Sequence, residues 1–324
     1  MCFWILNFDC SSKSRFPIPY LSLNFVNRKP FIFETKPTRR YSPDRLLDEV
    51  PKMFAYPKLK QTYEAIAKTM PHVKIRTASP VQRIERRSGG RHPIRVYSSS
   101  TSSNPSEPDT AAEFDDIILC CGAEEALRML GADATFLERR LLKNVKYYND
   151  LIVTHEDEDY MAKYYEFHPT EDMYFIRTDP NRPRILEMSF NLSAYQPHLS
   201  GRPAIYQTIF LDDALKDHWT VDNIDPKKIL KKRITRQFAH TWTHFAFWVP
   251  FVRFLQGTRH TWYAGAYTLF NTHEIAMMSG LAAADRLGAP HPFPHDPMAV
   301  KQYKTYFRLA HGMFPRMNKM RTTN

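Results

Sequence analysis

Two segments that each read as an apolar strand, a glycine-bearing turn and a helix restrict the fold more than anything else in the chain. The first, "FDDIILCCGAEEALRML" (Phe114 to Leu130), places a run of apolar residues after two acids, turns at Gly122 and continues as a helical stripe closed by Gly131. An unbroken apolar run followed by a helix fits a strand buried on both faces, as in α/β architectures. The second, "TWYAGAYTLFNTHEIAMMSGLAAADRLGA" (Thr261 to Ala289), is a short strand, a turn and a helix of small residues. Asn271 is the expected N-cap, with Glu274 completing a capping box, and Gly288 the expected end. Ala276, Gly280 and Ala284 recur every fourth residue, so one face carries little bulk; Gly280 costs about 1 kcal/mol relative to alanine. Such a helix start suits an anion or an electron-rich ring edge, and it equally suits a tightly packed core helix.

The first forty residues mix β-rich runs with prolines and read as strands and loops. From Ser42 the pattern turns helical, with Leu59, Tyr63, Ile66, Ala67 and Met70 forming a stripe that ends before Pro71. Two strands are expected around Gly89 and Gly90, then an exposed loop over 98–112 rich in Ser, Thr and Pro. From Leu141 to Leu255, strand-like runs ("YYNDLIVTHE", "RILEMSFNL", "AIYQTIFL") alternate with polar turns, and Ile229 to Arg236 reads as a basic helical segment. The expected fold class is therefore α/β with mixed α+β character.

The formal charge of +11 would suit nucleic acid, an anionic membrane surface or a polyanionic cofactor. The bases lie in scattered patches, without zinc-finger spacing, an aromatic-rich RNA signature or a recognition-helix pattern, so no nucleic-acid partner is expected. Four cysteines, Cys2, Cys10, Cys120 and Cys121, make no disulfide framework for 324 residues, and the first eight residues make a poor signal peptide. The apolar run from Phe245 to Leu255 is too short to span a bilayer and contains Arg253, so no stable membrane insertion is expected. The expectation is a soluble, cytoplasmic protein. His240 and His244, four apart, could share a helix face, but no third ligand stands at a characteristic spacing and no metal site is expected.

The segment Thr261–Ala289 resembles the C-terminal flavin-binding segment of the flavin-containing amine oxidase superfamily, and more narrowly the predicted NAD/FAD-binding oxidoreductases. The resemblance rests on Trp262 and Gly265 at the strand end, His273 and Glu274 opening the helix, and Ser279, Gly280, Ala283 and Ala284 along its stripe. "ASPVQRIERR" is similar to the strand whose valine backbone, here Val81, meets the adenine. "EFDDIILCCGAEEALRML" resembles the later strand and helix that close the cofactor domain near Cys121 and Gly122. The resemblance runs from about Ser42 to Ala289.

It implies FAD as cofactor and hydride transfer from a small organic substrate. Val81, Cys121, Gly122, Gly265, Ala266, His273, Glu274 and Ile275 would contact the flavin, and Trp262 and Tyr263 would line the substrate pocket; no acid or base is singled out. The implied organisation interleaves a cofactor domain (42–144 and 256–290) with a mixed-sheet substrate domain (1–41 and 145–255), followed by a basic helical tail (291–324). None of the ten glycines forms a G-x-G-x-x-G, the turn that holds the pyrophosphate in this superfamily. The expectation is thus a truncated FAD-binding domain; the alternative is a flavin-free remnant acting as a binding or scaffold protein.

Overall fold

The computed structural model describes residues 59–70, 72–87, 89, 92–99, 110–165, 174–179, 181–199, 201–289 and 291–315. The strands expected in the first forty residues and the helix start at Ser42 lie outside them. Among the described residues the architecture is α+β, divided into two compact units: Lys60–Lys146 with the chain from Phe238 onward, and Tyr147–Gln237.

The first unit begins with α1 (Leu59–Lys68), which carries the predicted stripe. β1 (Val81–Arg86), β2 (Ile94–Ser98) and β3 (Thr110–Phe114) form an antiparallel meander. Its buried residues include Ile84 and Ile94. β3 begins at Thr110, inside the stretch read as loop. β4 (Ile117–Leu119) is shorter than the apolar run suggested: Cys120 and Cys121 already belong to the turn, and only Leu119 of the three is fully buried. After Gly122 comes α2 (Ala123–Leu130), closed by Gly131 at φ 47°, and then α3 (Phe136–Leu142). Thr135 and Glu138 form a reciprocal capping box at the start of α3. β10 (Thr261–Tyr263) lies parallel to β4, pairing Thr261 with Ile117 and Tyr263 with Leu119. α6 (His273–Arg286) and α7 (Pro297–His311) complete the unit, with Tyr303, Tyr306, Phe307 and Ala310 of α7 buried.

The second unit is a five-stranded sheet in the order β6-β7-β8-β5-β9, with α4 (Glu158–Tyr164) and the short α5 (Leu192–Tyr195). Its strands are β5 (Tyr147–His155), β6 (Tyr174–Asp179), β7 (Arg182–Asn191), β8 (Tyr206–Phe210) and β9 (Ile229–Phe238). Val153, Tyr160, Met161, Phe175, Tyr206 and Phe210 form its core. β9 overturns the helical reading of Ile229 to Arg236. Side chains at Ile229, Lys231, Arg233 and Thr235 are more buried than the alternating Leu230, Lys232, Ile234 and Arg236, which is the two-residue period of a strand. The clustered bases, with Leu230 and Ile234 on the exposed face, hide that period in the sequence.

Candidate functional site

The carboxyl ends of two parallel strands are where an α/β sheet offers a crevice to a ligand. Here those ends belong to β4 and β10. The ladder extends one step beyond β10, with the Ala264 amide donating to the Leu119 carbonyl (3.0 Å). β4 then runs into Cys121 and Gly122 at the start of α2, while β10 runs into Gly265. A Cβ on Gly265 would lie 3.9 Å from the Cys121 carbonyl oxygen, so the two turns are neighbours.

Gly265 is fixed from several sides. Its φ of 138° is a conformation that favours glycine, and a Cβ there would sit 2.9 Å from the Tyr267 ring. Its amide donates to Ser279 Oγ (2.7 Å), which in turn donates to the Ala276 carbonyl (2.7 Å). Its carbonyl accepts from the Thr268 amide (3.1 Å) and hydroxyl (2.7 Å), and the Thr268 hydroxyl is also bonded to the Tyr306 hydroxyl (2.7 Å) on α7. The single turn Ala266–Thr268 follows. The small residues of α6 allow this approach: Ser279, Gly280, Ala283 and Ala284 are buried, whereas Ala276 is half-buried.

The cap of α6 is Thr272, not Asn271. Thr272 is extended, and its side chain accepts from the Ile275 amide (3.2 Å). The Asn271 amide is instead held by His240 Nε2 (2.9 Å), and His244 Nε2 bonds the Leu269 carbonyl (3.0 Å). The two histidines of "HTWTH" thus pin the loop that leads into α6. Burial lowers both of their pKa values, which keeps His240 able to accept. His273, whose pKa burial also lowers, is bonded through Nε2 to the Tyr63 hydroxyl of α1. Glu274 and Ile275 complete the first turn.

The other residues singled out in the sequence have different engagements, and Val81 is tied to the far end of α2. Val81 opens β1, and its carbonyl accepts from Arg128 (3.4 Å) in the last turn of α2, the end away from Gly122. Burial pushes the Cys121 thiol up to about 12, so it is an inert packing group at neutral pH. Trp262 is buried, donates to Asp116 (3.4 Å) and closes over Gly257, where a Cβ would come within 2.7 Å of its ring. Tyr263 is fully buried, and its hydroxyl donates to Glu138 (2.7 Å).

That last bond opens onto a network the sequence did not reveal. Arg86 of β1 donates to both carboxylate oxygens of Glu138 (2.6 and 2.8 Å), to the Asp133 carboxylate (2.8 Å) and carbonyl (2.7 Å), and to Thr261 (3.3 Å). Arg259 adds bonds to the carbonyl and carboxylate of Asp133 (both 2.9 Å). Burial alone would raise the Glu138 pKa, but the bonds from Arg86, the Thr135 amide and Tyr263 outweigh it and hold the carboxyl near 2. The network ties β1, α3 and β10 together and so sets where Gly265 emerges.

No family model and no curated protein matches the chain. Among solved structures it is similar to a CLA-producing fatty acid isomerase from P. acnes, at 18% identity and a TM-score of 0.46 over 71% of this chain and 52% of that one. It is also similar to a protein named as a protoporphyrinogen oxidase from Exiguobacterium sp. 255-15, at 14% identity and a TM-score of 0.49 over 71% and 50%. The chain spans about half the length of these structures.

A flavin fits this site in part. The amino end of α6 offers backbone N–H groups to a ring edge or an anion, whereas the Gly265 amide is already engaged by Ser279. The space above Gly265, however, is filled by Tyr267, and the sequence holds no glycine-rich turn for a pyrophosphate.

Proposed function

We propose that the chain carries the C-terminal flavin-binding segment of an FAD-dependent oxidoreductase of the amine-oxidase-like kind. One observation carries this reading. The segment whose motif resembles that superfamily folds as strand, Gly265 turn and Thr272-capped helix, beside the Cys121–Gly122 turn and with Ser279 tied to Gly265. When bound, the flavin would supply the redox chemistry, accepting a hydride from a C–H bond of a small organic substrate. The chain's own part is positional: the N–H groups of His273 and Glu274 face whatever lies beyond the helix start, and the Arg86 network holds β10 beneath it. Trp262 and Tyr263 serve the site by fixing the strand, since both side chains are committed inside the unit. The missing G-x-G-x-x-G favours, as a second reading, a flavin-free binding or scaffold protein.

Comparing His273→Ala with His273→Pro in equilibrium dialysis against FAD separates the two. Both remove the imidazole, but only proline removes the backbone donor. The extended conformation of Thr272 (φ −127°, ψ 149°) accommodates a following proline. On the proposed reading His273→Pro binds FAD about tenfold more weakly than His273→Ala, as for loss of one charge-assisted hydrogen bond. No binding by the folded wild-type chain favours the second reading.

A further inference from the structure

The run from Trp242 to Gln256 is one continuous series of helical turns with two apolar faces. Trp248, Val252 and Leu255, at i, i+4 and i+7, form its buried face. Phe247, Phe251 and Phe254, at the same spacing and shifted by one residue, are exposed, and Trp242 at the start of the run is 81% exposed. A helical segment that is apolar all round is usually enclosed, and one that leaves an aromatic face uncovered calls for an apolar medium to receive it. The neighbouring α3, which packs against the turn His244–Trp248, exposes Leu137 and Phe136, the latter at 82%.

The exposed charged residues of α3 and of the run Trp242–Gln256 are all basic. Arg139, Arg140 and Lys143 are exposed on α3, and Arg253 lies with its guanidinium 4.8 Å from the Phe254 ring centroid. No acid occurs from Ala239 to His260, and the one acid of α3, Glu138, is fully buried and bonded to Arg86. Exposed tryptophan and phenylalanine ringed by Lys and Arg are the groups that settle at the boundary between lipid headgroups and acyl chains.

We propose that this face adsorbs to an anionic lipid bilayer, with Trp242 and the phenylalanines inserted at headgroup depth and the bases of α3 against the lipid phosphates and carboxylates. No helix of the described residues is long and apolar enough to cross a membrane, so the contact is interfacial. Each base near the surface contributes roughly a fivefold gain in affinity, diminishing with salt.

The full chain is floated with vesicles of phosphatidylcholine alone and of phosphatidylcholine with about 30% phosphatidylserine, at low and high salt. Binding is expected to the mixed vesicles, weakened by salt. The exposed double substitution Trp242→Ser/Phe247→Ser should abolish it, and Arg140→Glu/Lys143→Glu should weaken it about tenfold or more. Circular dichroism checks that both variants fold, and the comparison of vesicles and salts with the wild type stands without any variant. Absence of binding, binding indifferent to lipid charge, or binding that survives both substitutions in folded protein overturns the proposal. So does self-association of the wild type, seen by sedimentation and lost in Trp242→Ser/Phe247→Ser, because the face would then be a protein interface.

Discussion

Arg86→Met tests whether the buried ion network is what holds the strand beneath the candidate site. The Arg86 side chain is 1% exposed and that of Glu138 fully buried, so methionine leaves a carboxylate without its cation in the interior. Removing one partner of such a pair costs about 3–5 kcal/mol. Linkage gives a figure of similar size. A Glu138 pKa of about 2 against an ordinary 4.5 corresponds to roughly 3 kcal/mol, the net of the bonds from Arg86, Thr135 and Tyr263 over the opposing effect of burial. The folded-state pKa is depressed, so this stability is fully present above pH 4.5 and is lost as pH falls through about 2. Urea unfolding with amide hydrogen exchange at β1, α3 and β10 reads the effect. Arg86→Met should lose about 3 kcal/mol or more near neutral pH. Adding Glu138→Gln, which removes the charge, keeps one oxygen for the Thr135 amide and turns an NH2 that can donate to the Tyr263 hydroxyl, should recover much of it. A loss below about 1 kcal/mol, or a double variant no better than the single one, would refute the reasoning.

Three further outcomes follow from the same geometry. His155 is buried, accepts from the Asp157 amide at Nδ1 (3.2 Å) and bonds Thr208 at Nε2 (2.9 Å); burial holds its pKa near 4 against the pull of Asp157. His155 therefore contributes a loss of up to about 3 kcal/mol as pH falls from 6.5 toward 4, read as the difference in pH dependence between wild type and His155→Gln because buried Asp150, pushed up to about 6, titrates in the same window with the opposite sign. A urea midpoint with the same slope in His155→Gln contradicts this. Thr272→Ala should cost about 1 kcal/mol in thermal unfolding while Asn271→Ala costs clearly less, and the reverse order would restore Asn271 as the cap. Gly265→Ala forces a Cβ to 2.9 Å from the Tyr267 ring in a backbone region that alanine rarely adopts, a loss of about 2 kcal/mol or more by calorimetry; an unchanged melting temperature would show that the turn is free to rearrange.

The parts of this arrangement legible in the sequence are local ones. Strand, glycine turn and helix appear in order because the apolar run, the glycine and the helical stripe lie within some twenty residues of one another. The sequence points to Asn271 as the cap; Thr272 is also a good cap by type, and it is the one whose hydroxyl reaches the Ile275 amide once the chain has folded. The Arg86 network could not be read at all. Its partners stand 47, 52 and 175 positions away, and a lone arginine in "VQRIERR" carries no mark of burial. The error at β9 has a different cause. Its exposed face bears Leu230 and Ile234 beside Lys232 and Arg236, so the apolar–polar alternation that marks a strand is blurred there.

The central claim is that the Gly265 turn and the Thr272-capped helix serve a flavin. It is tested most directly by the visible absorbance spectrum of the full chain, purified with and without added FAD, and by the flavin released on denaturation. The account predicts bound flavin, up to one per chain, with a spectrum shifted from that of free FAD. A folded chain that holds no flavin under either condition would contradict it.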